Sequence, residues 1–183
     1  MGFGDTSLLC KIVFILLILC FIIDLIAFAI PYWYSKEING FKYYGGLWDI
    51  CEEGTFMGSS YKICNSIGED DRYIAYNWVR GFRAVRAFSI LSWLFFLAAL
   101  VLVVIFMWVL SSKVLYLVAV CLSFAGAFCA MIAFAVYAGE STFYWKDYSA
   151  SFALTIIAFI LGLIIGILGI LDYLGLTSGK VGA

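Results

Sequence analysis

Four apolar runs decide what this chain can fold into: residues 8–30, 81–110, 114–138 and 150–171. Each supplies the ~20 residues that a helix needs to cross a hydrocarbon core of about 30 Å. Each is apolar around its whole circumference, which a surface helix of a soluble protein is not. The first run is too long for the core of a signal peptide, and no small-residue cleavage site follows it. Composition agrees, with 66% hydrophobic and 13% charged residues, against the ~25% charge of a soluble domain. The expectation is one domain, 1–183, with four transmembrane helices.

The connections are unequal: 31–80, then a tight turn at Ser111-Ser112-Lys113, then 139–149, with a tail at 172–183. Four spans put both longer segments on one side of the membrane and both termini on the other. Lysine and arginine do not choose the side, because Lys36, Lys42, Lys62, Arg72 and Arg80 all lie in the long segment. The cysteines do. Cys51 and Cys64 alone lie outside the apolar runs, and such a pair reads as a disulfide in an oxidising compartment. Two free thiols in the cytosol are the alternative, and zinc lacks further ligands. The long segment is therefore expected outside a plasma membrane, with cytosolic termini.

Within 31–80, tyrosine, tryptophan and β-branched residues alternate around Asn39-Gly40, a strong hairpin signal. A second turn is expected at Gly58-Ser59-Ser60. These give a small antiparallel sheet, followed by a short polar helix over "SIGEDDRYIAYNWVR".

Trp33, Gly46-Leu47-Trp48, Cys51, Cys64 and Arg86 form the pattern W…GLW-x2-C…C…R. In this the chain resembles the claudin superfamily, which includes the peripheral myelin and epithelial membrane proteins and lens fibre intrinsic protein. The resemblance covers nearly the whole chain. It implies a left-handed four-helix bundle capped by an extracellular β-sheet, with Cys51–Cys64 joining adjacent strands. Trp33, Leu47 and Trp48 would anchor that sheet at the membrane surface, where tryptophan is favoured on physical grounds too. The tail resembles the epithelial membrane protein branch, and Asp24 in the first span resembles the PERP-like branch. Lys180-Val181-Gly182-Ala183 lacks the large apolar final residue that a PDZ groove captures, so no PDZ scaffold is expected there.

Asp24 lies roughly 10 Å inside the membrane, where an unpaired aspartate costs about 2.5–3.5 kcal/mol on insertion scales. An Asp24–Arg86 ion pair is expected, with Arg83 as the alternate partner. A proton relay or ion path is the sharper alternative. Ala158, Gly162, Gly166 and Gly169 form a small-residue stripe suited to packing within the bundle. Cys20, Cys121 and Cys129 read as packed thiols, and Cys10, near the cytosolic face, as a palmitoylation candidate.

The chain has no histidine and a net charge of −1. No enzyme, metal site, cofactor or nucleic-acid partner is expected. The resemblance implies adhesion and a paracellular barrier or channel at cell–cell contacts, through self-association in cis and trans or with other claudin-like proteins. Membrane lipids are the other expected partner. Candidate contact residues are Phe56 and Met57 at the sheet tip, and Phe143, Tyr144 and Trp145 in the second segment; Tyr144 and Trp145 alternatively belong to the interfacial belt. Asp49, Glu52 and Glu53 are candidate pore charges favouring cations. The alternative function is a membrane organiser or auxiliary subunit that binds a channel, integrin or receptor in its own membrane.

Overall fold

The computed structural model describes residues 6–56, 58–67, 76–139 and 147–175. Its elements run α1 (Leu8–Ala29), β1 (Tyr34–Ile38), β2 (Phe41–Gly45), β3 (Asp49–Phe56), β4 (Ser59–Ser66), α2 (Tyr76–Trp108), α3 (Lys113–Gly139) and α4 (Ala150–Tyr173). All four helices contain a stretch long and apolar enough to cross a membrane, in α2 from Gly81 to Trp108.

Burial along the helices follows a heptad rhythm. In α1 the buried positions are Cys10, Val13, Leu17, Cys20, Asp24 and Ala27. In α2 they include Val85, Ser89, Ser92, Phe96, Ala99 and Val103, and in α4 Ser151, Thr155, Ala158, Gly162, Ile165 and Gly169. Steps of three and four alternate throughout, a 3.5-residue repeat that wraps helices into a left-handed bundle. Ile15, Ile22, Ile160 and Ile167, between these stripes, are exposed; they cover the surface that lipid would meet.

The glycine stripe of α4 packs inside the bundle. A methyl at Gly162 would lie 2.9 Å from Ala127 Cβ and from the Phe96 ring, and one at Gly166 would lie 2.5 Å from the Phe124 ring. Small residues let α4 approach α3 closely, so backbone contact replaces the hydrophobic drive that lipid removes.

The four strands form one antiparallel sheet in sequence order. Asn39 and Gly40 both have positive φ (52° and 81°), the two-residue turn that favours Asn-Gly. The second turn falls earlier than expected. Gly58, at φ 81°, belongs to it, whereas Ser59 and Ser60 are already paired in β4 opposite Phe56 and Thr55. Of the expected polar helix, 66–80, Ser66 instead ends β4 and Ile67 follows it, 68–75 lies outside the described residues, and 76–80 begins α2.

Candidate functional site: the sheet and its seat on the helices

Everything the sheet could do depends on how it is fixed to the bundle, and that begins with proline. The last carbonyls of a helix lack intrahelical donors. At the end of α1, Ala27 O would ordinarily accept from residue 31, but Pro31 has no N–H. Phe28 O loses its donor too, because the Tyr32 N–H turns to Ile30 O at 3.0 Å. Two indoles take these places. Trp33 Nε1 donates to Ala27 O at 3.0 Å, and Trp48 Nε1 donates to Phe28 O at 2.9 Å. Ile30 O also accepts from Ser151 Oγ of α4 at 3.2 Å.

These bonds give the tryptophans a more specific task than a general preference for the membrane surface. Trp33 and Leu47 are each 0% exposed, and both indole N–H groups point at helix carbonyls rather than water. Trp33 packs against Tyr137 of α3 and Phe152 of α4, with ring centroids 4.9 and 6.4 Å apart. Gly46 has its own cause: a Cβ there would fall 2.5 Å from Pro31 Cα and 2.9 Å from Ile30 O. Those are backbone atoms, which do not yield.

Arg86 completes the seat from α2. Its Nε donates to Leu47 O at 2.6 Å and its Nη2 to Ile67 O at 3.2 Å, while the guanidinium lies over the Trp48 ring at 5.1 Å. One side chain thus holds the chain on both sides of the β3–β4 hairpin and stacks on a signature tryptophan.

Arg86 is therefore not the partner of Asp24. Asp24 is 2% exposed at a core position of α1, and the hydroxyl facing it is Ser92. Among the described residues, Asp24 Oδ2 and Ser92 Oγ nevertheless complete no hydrogen bond. Ser92 lies six residues beyond Arg86, about 9 Å deeper along α2. Arg86 also sits one residue off the buried stripe, which turns it toward the sheet. Cys10 is corrected as well. It is 1% exposed among bundle residues, so its thiol offers no surface to an acyl donor.

Cys51 and Cys64 are bonded across β3 and β4, directly opposite in register. On the same face, Tyr44 stacks on Tyr32 with centroids 4.9 Å apart. The candidate pore charges do not gather. Alternation along β3 puts Asp49 and Glu53 on one face and Glu52 on the other. Glu53 stands between Lys42 and Lys62. Glu52 accepts from the Tyr61 hydroxyl at 2.7 Å, which pushes that phenol up to about 12. Burial pushes Tyr34 up to about 12 as well.

Residues before α4 join the sheet at its β1 edge. Tyr148 bridges Tyr34, Ser35 N donates to Asp147 O at 3.2 Å, and Lys36 faces Asp147 across 3.9 Å. This edge contact left no signal in the sequence. Met57, Phe143, Tyr144 and Trp145 lie outside the described residues, as does the tail from 176 to 183.

At the opposite end of the bundle, Ser7 accepts from the Cys10 N–H at 3.0 Å and donates to Asp172 Oδ1 at 2.6 Å, capping α1 and tying it to α4.

No curated protein matches the chain. The sequence model of the PMP-22/EMP/MP20/claudin family, however, matches residues 6–169, and with the claudin-like tetraspan fold this establishes that the chain is a multi-pass membrane protein belonging to that family.

Proposed function

We propose that this protein works at the plasma membrane of touching cells, where copies line up side by side and meet partners across the gap to form an adhesive barrier. The termini lie in the cytosol and the sheet lies outside. The observation that carries this reading is the form of the β3–β4 hairpin. It continues three residues past Glu53, its last register partner for β2, to the Phe56↔Ser59 pair. Its base is disulfide-linked and bonded through Arg86 to α2. A projecting tip on a stiff mount binds without a large ordering cost.

Phe56 at the end of β3 and Met57 after it in the sequence, with Phe143, Tyr144 and Trp145 in the second segment, are the contact residues on this reading. Where such contacts leave an aqueous path, Asp49 is its charge, because Glu53 is offset by two lysines.

The test is a mixed culture of expressing and non-expressing cells. Wild type is expected to concentrate only where two expressing cells touch, and Phe56→Ala/Met57→Ala to reach the surface without concentrating. Indifference of the wild type to its neighbour refutes the trans contact and directs the search to a partner in the same membrane.

A further inference from the structure

Four exposed charges form one row across the whole sheet. Register sets Glu37 opposite Lys42, Lys42 opposite Glu53, and Glu53 opposite Lys62. Directly opposed residues share a face, so the row reads acid, base, acid, base from β1 to β4. Neither lysine closes an ion pair among the described residues. Both ammonium groups lie over the Tyr44 ring instead, 5.9 and 5.5 Å from its centroid. A row of this kind ends in opposite charges: Glu37 at one edge of the sheet and Lys62 at the other.

Height and direction decide what those edges can meet. Strand bases on both sides of the sheet are tied to the same end of the bundle, through Trp33, Trp48 and Arg86. The row therefore stands at one level, three or four residues above the base, roughly 10–13 Å at 3.3 Å per residue. Four antiparallel strands leave β1 and β4 running in opposite senses. A second copy displaced sideways in the same membrane, without rotation, brings its β1 antiparallel to β4 of the first. Among the described residues β4 has no outer neighbour, and seven of its eight residues are exposed, Ile63 by 54%. Among the described residues, Asp147–Ser149 meets the β1 backbone at Tyr34 and Ser35, and Asp147 faces the Lys36 side chain.

We propose that the sheet continues from copy to copy, with Lys62 of one molecule opposite Glu37 of the next. The alternating charge row then runs unbroken along a line of molecules in one membrane. This rests on the side-by-side association proposed above and gives it a register. Backbone hydrogen bonds at the joined edges supply attraction, and the charges choose the alignment. A one-residue slip turns Lys62 against the wrong face, and a two-residue slip sets it against Ser35 or Asn39. Because the two edges differ, the contact is heterologous and the row is open-ended.

The native residues report the contact. A zero-length carbodiimide joins a carboxylate to an amine only where they touch. Within one chain Glu37 and Lys62 are three strand spacings apart, about 14 Å, so a Glu37–Lys62 cross-linked peptide comes from two chains. Membranes of expressing cells are expected to yield that peptide together with multimers. A variant carrying E37K, K42E, E53K and K62E reverses the row yet keeps its alternation, and with it the sheet. It is expected to co-precipitate itself as well as wild type does, but to co-precipitate wild type several-fold less. Multimers without the Glu37–Lys62 peptide, or free mixing of reversed and native chains, overturn the edge pairing and leave self-association to another surface. Absence of multimers in every arm overturns the side-by-side association itself.

Discussion

Replacing Trp33 with benzothienylalanine separates the two things its indole does. The analogue keeps the bicyclic shape that fills the space beside Tyr137 and Phe152 but has sulfur where the indole has N–H. The Ala27 carbonyl then loses its donor, and Pro31 cannot replace it. Water cannot help, since Trp33 is wholly buried. A buried acceptor left without a partner costs about 1–3 kcal/mol. At roughly 2–4 °C per kcal/mol for a protein of this size, the expected fall in Tm is about 2–12 °C. Fluorescence-detected size exclusion of heated, detergent-solubilised protein measures it. Trp33→Phe is expected to fall further, because it also opens a cavity. The capping argument fails if the analogue melts with the wild type while Trp33→Phe does not. The ring's volume, not its N–H, would then be what the position requires.

Gly46→Ala is expected to abolish surface delivery, measured by surface biotinylation, because its methyl meets the Pro31 backbone, while nearby Gly40→Ala meets no neighbouring atom and adds only the strain of a positive-φ turn. Arg86→Lys keeps the charge yet cannot span two carbonyls and stack on Trp48. Losing one charged hydrogen bond, it should cost about 1.5–3 kcal/mol in the same melting assay. Cys51→Ser/Cys64→Ser should lose about 3 kcal/mol for a loop of this length, and dithiothreitol should lower the wild type to the same Tm. Asp24→Leu should raise Tm, since it replaces a buried carboxyl whose Oδ2 has no partner among the described residues; a fall in Tm would mean that the carboxyl is satisfied in the membrane.

The spans and the hairpin turn were legible because each rests on a local rule. Twenty apolar residues must be a span, and Asn-Gly must turn with positive φ. The signature residues were legible as a set but not in their roles, because those roles depend on where the ends of α1 and α2 meet the sheet. Tryptophan at a membrane boundary has a general explanation in the interface, and that explanation hid the particular one. The clue was present in the single proline: Pro31 removes the donor to the carbonyl four residues back, and Trp33 follows two residues later. The Asp24–Arg86 expectation failed for a related reason. Counting 1.5 Å per residue gives depth along one helix, but pairing also needs the azimuth and the offset between two helices. The heptad rhythm supplies both once Ser89, Ser92 and Asp24 are recognised as core positions despite being polar.

The family pattern then reads as one mechanical device rather than several separate features. Pro31 ends α1 and strips a donor from Ala27. Trp33 and Trp48 restore donors from the two strand bases that flank Gly46, whose missing side chain lets the loop touch the helix end. Arg86 reaches from α2 to the carbonyl between those parts, at Leu47, and to Ile67 beyond β4. The disulfide lies one strand pair away and binds the same hairpin. Trp33, Trp48 and Arg86 each satisfy backbone carbonyls at this junction, so losing any of the three strands a buried polar atom. A sheet mounted this way turns with the bundle as one body. Contacts made at its tip or its edges therefore act on four helices, as the adhesion proposed above requires.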